Sequence, residues 1–310
     1  MDKNKKGALM VILAGACWGS ISIYINYLSS AGLGTMQISF LRQMFAAIVF
    51  AIVILARDRS KFIMTEKKDI WLVMLCGLIN GVVFNFMYFY TIINSRASIA
   101  VVLLYTSPVF VIIMARIFFK EKITKYKFAA LVLTIAGCVL VTGIIGEGYT
   151  PPAIAILTGV LTGFSYALNN ILTSTAVRRN DPETVTFYTL TFSFIFLIPF
   201  SGGRSLVSIC RADPMIPAVA FVMCIVTAVL AQYMFSAGLK MIESGRAAIY
   251  GATEPVVGCL VGILIFHEES NILKIVGIAM VIIAILLTGK NEESSNSKQG
   301  KQKVKKVIGD

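Results

Sequence analysis

Two twelve-residue stretches decide the fold of this chain: AVVLLYTSPVFV at residues 100–111 and AAIYGATEPVVG at residues 247–258. Each is an apolar run interrupted by Thr-X-Pro, and Pro108 and Pro255 lie 147 residues apart. An alanine, a threonine and a valine repeat at the same offset, as do Glu121 and Glu268. The second half of the chain is therefore interpreted as a diverged copy of the first, with a helix-breaking residue at the same place.

The composition places the whole chain in a lipid bilayer. Of its 310 residues, 57% are hydrophobic and 14% are charged, and the mean hydropathy is +0.82. Soluble domains are roughly 45–50% apolar and about 25% charged. The apolar runs reach the about 20 residues that a membrane-spanning helix needs. In a membrane protein, interrupted segments paired between two halves point to a binding site where the halves meet.

The hydropathy pattern predicts an all-α membrane protein with ten transmembrane helices in two sets of five. The first repeat is residues 1–146 and the second is residues 147–289. A tail at 290–310, rich in Lys, Ser, Asn and Glu, is predicted to be disordered and cytoplasmic. The predicted helices, one to ten, cover residues 7–28, 35–56, 70–93, 97–119, 126–145, 152–176, 184–203, 214–240, 245–266 and 271–289.

The distribution of Lys and Arg predicts the orientation. Most of these residues fall near the N-terminus, after helices two, four, six and eight, and in the tail, which share one side. The positive-inside rule then places both termini in the cytoplasm, in a multi-pass protein of the plasma or inner membrane. Because five helices is an odd number, the second repeat is inverted. The net charge of +12 is interpreted as a result of the basic loops that set the membrane orientation, and not as a sign of nucleic-acid binding.

The two prolines are the predicted hinges. Proline within a helix leaves the carbonyl four residues earlier without a donor, here Leu104 and Gly251. In hydrocarbon such a carbonyl must be buried in protein or line a watery cavity. A symmetry-related pair, Pro108 and Pro255, favours a hinge beside a cavity, and a tolerated kink is the alternative.

Glu254 and Arg42 are the predicted coupling residues. Glu254 is an acidic residue deep in a predicted span, where the first half carries Ser107. Intramembrane carboxylates are costly and usually functional, so Glu254 is the candidate for binding a coupling proton or cation. A structural ion pair with Arg42 of helix two is the alternative. Glu121 and Glu268 fall at helix ends, where capping or packing is the favoured role.

Amide and aromatic side chains are the predicted lining of the cavity. Asn85 and Gln232 lie 147 residues apart, at equivalent places in the two copies. Hydrogen bonding between helices is the alternative role for each amide. Tyr105 and Tyr250 are adjacent to the two breaks. The full set of predicted cavity residues is Trp18, Asn80, Asn85, Tyr105, Asn169, Gln232 and Tyr250.

Several functions are disfavoured by motifs that the sequence lacks. There is no GxxxxGK[ST], HExxH or GxSxG, the signatures of a nucleotide motor, a metalloprotease and a serine hydrolase. Five of the six cysteines lie in apolar runs, and no CxxC or metal-ligand spacing occurs. We therefore predict that the protein is not an enzyme and uses no cofactor or metal.

The motifs, taken in order, resemble the EamA family of the drug/metabolite transporter (DMT) superfamily, over about residues 7–289. This resemblance implies two EamA-like repeats, alternating access to a central cavity, and efflux of amino acids, metabolites or drugs. One departure is Phe164-Ser165 in helix six, which leaves the cavity asymmetric. The residues that carry the resemblance are Ala16–Ser20, Phe40–Arg42, Ala97–Pro108, Glu121 and Gly137, followed by Gly245–Pro255, Glu268 and Gly277.

The sequence thus predicts a secondary active transporter of small solutes that works by alternating access and exports its substrate. A passive facilitator or channel of the same fold is the alternative. The expected partners are a small-molecule substrate, membrane lipid and a coupling proton, with no nucleic acid, in a monomer or homodimer.

Overall fold

The structure, a computed structural model, describes residues 2–95, 97–142, 150–267 and 272–288. Within these ranges every regular element is a helix and no strand occurs, as predicted. The tail at 290–310 and Glu268 lie outside the described residues, so the predictions made for them stay predictions.

Ten helical segments, α1 to α10, lie at the predicted positions. All except α5 and α10 are long and apolar enough to cross a membrane. Within the described residues α5 has 17 residues, or about 25 Å, which is short of a hydrocarbon core of ~30 Å. The chain is therefore an all-helical, multi-pass membrane protein, and the count of ten crossings stays a prediction. The segments are α1 Lys3–Ser30, α2 Thr35–Arg57, α3 Lys67–Asn94, α4 Ala97–Leu104 continued by Ser107–Phe119, α5 Lys125–Val141, α6 Ala153–Arg179, α7 Pro182–Phe200, α8 Met215–Leu239, α9 Ser244–Leu264 and α10 Ile272–Thr288.

A short helix, Gly203–Ala212, follows α7 where the sequence predicted the end of helix seven and then a loop. Gly202 has a φ of 71°, a left-handed conformation that suits glycine and turns the chain into the new helix. Leu206 of this helix is buried in a cluster with Leu28 and Ile216. The prediction missed the helix because its apolar positions are too few to stand out in a search for membrane spans.

The long helices are interrupted at matching places in the two halves. α4 is broken at residues 105–106, and α9 is broken at Ala252. α3 and α8 each contain a π turn, at Ile79–Val83 and Ile225–Leu230. Within each pair, the interruption in the second half follows the interruption in the first half by 146 or 147 residues. π turns within α-helices frequently occur at functional sites.

The packing partners of the helices repeat in the same way. α1 packs along α8 and α9, as α6 packs along α3 and α4. α2 packs on α8, as α7 packs on α3. α5 and α10 approach each other at Gly137 and Gly277, where a Cβ on either glycine would meet the other's carbonyl oxygen at 2.8 or 2.7 Å. Two related halves would produce this pattern, and the inversion of the second half stays a prediction.

Ion pairs join the loops that follow α2, α6 and α8 at one end of the molecule, which we call the basic end. Lys61 pairs with Asp181 at 2.6 Å, and Lys240 pairs with the same carboxylate at 3.5 Å. The buried Asp69 pairs with Arg179 at 3.3 Å. The hydrogen bond from Lys61 holds the pKa of Asp181 below its usual value. The loops that the sequence assigned to one side therefore lie together.

Candidate functional site

The two broken helices, α4 and α9, meet at one cavity, which α6 also lines. The volume of this cavity is about 10 Å³, which is room for about one water molecule. Small-molecule sites usually measure ~300–1,000 Å³, so the cavity as the structure shows it is too small for a substrate. The lining residues are Leu104, Tyr105, Ser107, Pro108, Tyr166, Ala248, Gly251, Ala252 and Glu254.

Threonine hydroxyls stabilise the breaks in both helices. The Thr106 hydroxyl donates to the carbonyl of Leu103 at 2.7 Å, and the Thr253 hydroxyl donates to that of Tyr250 at 2.8 Å. Pro108 lies in the first turn of the segment that follows the break, where its missing N–H costs no helical hydrogen bond. The predicted kink is thus a short turn that separates two α-helical segments within one span.

The carbonyls that the prolines were predicted to free each face a glycine of a neighbouring helix. A Cβ on Gly163 would lie 3.2 Å from the Leu104 oxygen, and one on Gly15 would lie 3.0 Å from the Gly251 oxygen. A larger residue at either place would therefore push α6 or α1 away from the break. Leu104 and Gly251 also line the cavity, so each break lies between a closely packed helix and the cavity.

Glu254 lines the cavity together with Ser107, its counterpart in the first half. Its charge interacts through space with Arg42 on α2, but the structure shows no direct ion pair between these two described side chains. The Arg42 Nε is buried and has no hydrogen-bond partner within the described ranges. The predicted alternative, a carboxylate paired directly with Arg42, is therefore not what the structure shows. An intramembrane carboxylate without a direct ion pair is suited to binding a proton or a cation.

Two tyrosine side chains share the cavity with this carboxylate. Tyr105 and Tyr166 line the cavity together with Glu254. Tyr105 was a predicted cavity residue, whereas Tyr166 was not. Hydropathy cannot assign one tyrosine in an apolar run to a particular helix face. The available signal was the departure between the two copies at residues 164–165, directly before Tyr166.

Trp18 and Tyr250 do not line the cavity. The indole Nε1 of Trp18 donates to the carbonyl of Thr227, inside the π turn of α8, at 3.0 Å. The ring packs against Phe235 with centroids 5.2 Å apart. Tyr250 is buried in the hydrophobic cluster against which Trp18 packs. The structure therefore gives both aromatics a packing role between α1, α8 and α9.

Asn80 and Asn85 also lie away from the cavity lining, in and next to the π turn of α3. The Asn85 Nδ2 donates to the carbonyls of Asn80 and Gly81 at 3.0 and 2.8 Å. Its Oδ1 accepts from the Ser39 hydroxyl of α2 at 3.2 Å. Asn85 therefore satisfies the π turn and links two helices, which agrees with the alternative role as an interhelical hydrogen-bonding group.

Asn169 and Gln232 are buried on α6 and α8 and do not line the cavity. The Oδ1 of Asn169 and both polar side-chain atoms of Asn170 have no hydrogen-bond partner among the described residues. Both asparagines follow Tyr166 by about one helical turn. They are unsatisfied polar groups adjacent to the cavity along α6. Of the predicted site residues, the structure brings Tyr105, Pro108 and Glu254 together at the cavity.

Comparison with protein families identifies similarity along almost the whole chain. The sequence profile of the EamA-like transporter family matches residues 5–143 and residues 153–290. These two stretches include both breaks, both π turns and the residues that line the cavity.

Individual relatives are similar over most of their own length. A protein of Archaeoglobus fulgidus, named as an uncharacterized transporter, is 26% identical over 289 residues, which are 91% of this chain and 95% of the relative. The inner membrane transporter YicL of Salmonella typhimurium, also named as uncharacterized, is 19% identical over 93% of this chain and 96% of its own. One solved crystal structure matches with a TM-score of 0.74 at 15% identity, over 91% of this chain and 96% of that one. At this identity the structural match shows the fold alone.

Proposed function

The chain belongs to the EamA-like transporter family, and from this premise we propose that it is a secondary active transporter. It carries small metabolites, amino acids or drugs across the cell membrane by alternating access, in the direction of export. The relatives named above are transporters by name, and eight helices among the described residues have the length and composition of membrane spans. The basic end, by the positive-inside rule, faces the cytoplasm.

The observation that carries this proposal is the meeting of two broken helices at Glu254. Transporters built from repeats bind substrate where discontinuous helices from the two halves meet. Here α4 and α9 supply the two breaks, and the cavity between them contains a carboxylate without a direct ion pair.

A proton on Glu254 is the proposed coupling ion. The charged carboxylate attracts the guanidinium of Arg42 on α2, and the protonated carboxyl does not. The two protonation states therefore favour different separations between α2 and α9. Substrate and proton binding at one cavity would in this way bias the same conformational equilibrium.

Alternating access uses the breaks in α4 and α9 as pivots. Ion pairs join the loops at the basic end, and in the proposed cycle these pairs separate when the cavity opens toward the cytoplasm. Pro108 and Pro255 keep the two segments of each helix from merging into one rigid rod. A Pro108→Ala protein that transports at the normal rate, with unchanged accessibility from both sides, would contradict this hinge role.

The test begins with a thermal-shift screen of the purified protein against amino acids, nucleosides, sugars and cationic drugs, because a ligand of the folded state stabilises it. Ligands that bind are then assayed for flux in proteoliposomes with an imposed pH gradient. We expect accumulation against the solute gradient, and we expect Glu254→Gln to remove its pH dependence. Glu183→Gln, at the start of α7, is the matched control and should retain it.

The possible outcomes separate the candidate functions. Flux that only equilibrates the solute, whatever the pH gradient, would identify a passive facilitator. Full pH-driven accumulation by the Glu254→Gln protein would refute the coupling role of this residue. Absence of flux for every ligand that binds would refute the transporter proposal itself.

A further inference from the structure

A buried carboxylate, Glu121, lies at the basic end between α4 and α5 and holds the start of α9. We infer that Glu121 is a positioning residue for the transport cycle, and that its contact with α9 must break before the cavity opens toward the basic end. This inference rests on the proposed function. We call the group formed by Glu121, Lys127, Glu243, Ser244 and Gly245 the Glu121 clamp.

The carboxylate of Glu121 caps the first turn of α9 from outside that helix. Its Oε1 accepts a hydrogen bond from the backbone N–H of Ser244 at 2.9 Å, and its Oε2 accepts from that of Gly245 at 3.2 Å. The first N–H groups of a helix lack partners within the helix. They carry partial positive charge, so a carboxylate there is favourable. Two such bonds to one ionised group make a strong and directional contact.

A buried lysine completes the clamp. The Lys127 Nζ lies 2.9 Å from the Glu121 Oε2 and 3.3 Å from a Glu243 carboxylate oxygen. The Glu121 and Lys127 side chains are only 6% and 4% exposed, whereas Glu243 is 40% exposed. Removing the charge of Glu121 would therefore leave a buried ammonium group with only a half-exposed partner, which is unfavourable.

The backbone around the clamp is shaped to hold it. Lys120 takes a left-handed conformation with a φ of 56°, which ends α4 and directs Glu121 inward. The Glu121 N–H donates to the carbonyl of Ala115 at 3.2 Å. A Cβ on Gly245 would lie 2.6 Å from the Lys127 Cε, so glycine is required for the lysine to reach the carboxylate.

The clamp acts on the cavity because the helix segment that it holds is short. The first segment of α9 is Ser244–Gly251, only 8 residues. Its N-terminus is held by Glu121, and Ala248 and Gly251 within it line the cavity. The segment ends at the break at Ala252. Displacing the clamped end would therefore pivot one wall of the cavity about the break.

The clamp also joins the two halves of the chain. Glu121 and Lys127 belong to the first half, and Ser244 and Glu243 belong to the second. A contact inside one half could persist unchanged while the halves move as bodies. A contact between the two halves has to break or slide when the halves separate at the basic end. The Glu121 contact would therefore change during each transport cycle.

The test measures cysteine labelling from the basic end in oriented membrane vesicles. One reporter is Ala248→Cys in a protein whose native cysteines are replaced by alanine or serine. The second reporter is the native Cys76, which is fully buried in α3, in a protein without the other cysteines. Opening at the clamp exposes the first reporter only, whereas loosening of the whole fold exposes both.

Three variants are compared without substrate in each reporter protein. Glu121→Gln removes the charge that holds α9. Glu243→Gln is the control, because it leaves the two hydrogen bonds between Glu121 and the α9 backbone in place. The double variant, Glu121→Gln with Lys127→Met, also removes the ammonium group that would be left without its buried partner. We expect Glu121→Gln to raise labelling of the Ala248→Cys reporter about tenfold, the effect of losing one charge-assisted hydrogen bond. Glu243→Gln should change it by less than about threefold, in line with a half-exposed ion pair. The double variant should also label faster than the parent.

The inference is overturned by two results. Equal rises at both reporters would mean that Glu121 only stabilises the fold. Unchanged labelling at the Ala248→Cys reporter would mean that the clamp does not control access. The proposed function fails on different data, the absence of flux by the unmodified protein, so the two tests are separate.

Discussion

The crossing of α5 and α10 offers a quantitative test of how the two halves are held together. Gly137 and Gly277 face each other there, and neither has space for a side chain. We consider the variants Gly137→Ala and Gly277→Ala, alone and together. Gly258→Ala in α9 is the matched control, because the nearest atom to its added Cβ would lie 3.7 Å away.

The expected cost follows from the distances. A Cβ on Gly137 would lie 2.8 Å from the Gly277 oxygen, and one on Gly277 would lie 2.7 Å from the Gly137 oxygen and 2.8 Å from the Val141 nitrogen. Ordinary contact begins at 3.4 Å, so the helices must separate by about 0.7 Å, an overpacking that costs ~1–3 kcal/mol. Alanine regains ~0.5–1 kcal/mol of helix propensity. Each single variant should therefore lose about 1–2 kcal/mol.

The double variant should lose less than the sum of the two single variants, because one separation of the helices accommodates both methyl groups. We expect a coupling of about 1 kcal/mol between these contacting sites. The control gains propensity without a clash, so Gly258→Ala should be neutral or up to about 1 kcal/mol more stable.

The free energy of unfolding is measured by titrating the purified protein with a denaturing detergent in mixed micelles and following its helical circular dichroism. Two results would refute the reasoning. One is a stability of the single variants equal to that of Gly258→Ala. The other is strict additivity in the double variant, which would mean that the two glycines are not in contact with each other.

Three further predictions use the same unfolding titration. Asn85→Leu should destabilise the protein by about 1–3 kcal/mol, because two carbonyls of the α3 π turn lose their donors; unchanged stability would show that the turn is satisfied otherwise. Trp18→Phe should cost about 0.5–1.5 kcal/mol through loss of the indole bond to Thr227, and a larger loss would mean that packing dominates. Lys61 lowers the pKa of Asp181 in the folded protein below its usual 3.8, so this pair stabilises the fold above that value and its contribution is lost as the pH falls through the lowered pKa. Wild type should therefore lose stability relative to Asp181→Asn as the pH is lowered from about 5 to 3, by no more than ~1 kcal/mol for an exposed pair; parallel pH profiles would contradict it.

Helix positions were predictable because each apolar run is long enough to be recognised without any knowledge of its neighbours. The breaks in α4 and α9 were predictable for a related reason, since proline acts on its own helix whatever surrounds it. Gly203–Ala212 was missed because its stability comes from Leu206 packing on other helices, a contact that local sequence does not encode.

The cavity was only partly predictable. Tyr105 and Glu254 were identified because both lie next to a break that the sequence reveals. Asn85 and Trp18 were assigned to the cavity, but both donate hydrogen bonds to backbone carbonyls of π turns. The hydropathy pattern carries no signal for a π turn. Tyr166 was not selected because its role depends on which face of α6 meets α4 and α9.

The ion pairs at the basic end also constrain how the protein is made. Lys61 and Asp181 are separated by 120 residues, and Glu121 is separated from the Ser244 N–H by 123. During synthesis, α1 to α5 are therefore made before Asp181 and Ser244 exist, so at that stage Glu121 can pair with Lys127 but not with α9. The first half made alone is expected to be recognised as unfinished and degraded, whereas two halves made as separate chains, divided within residues 143–149, should stabilise each other in the same cell.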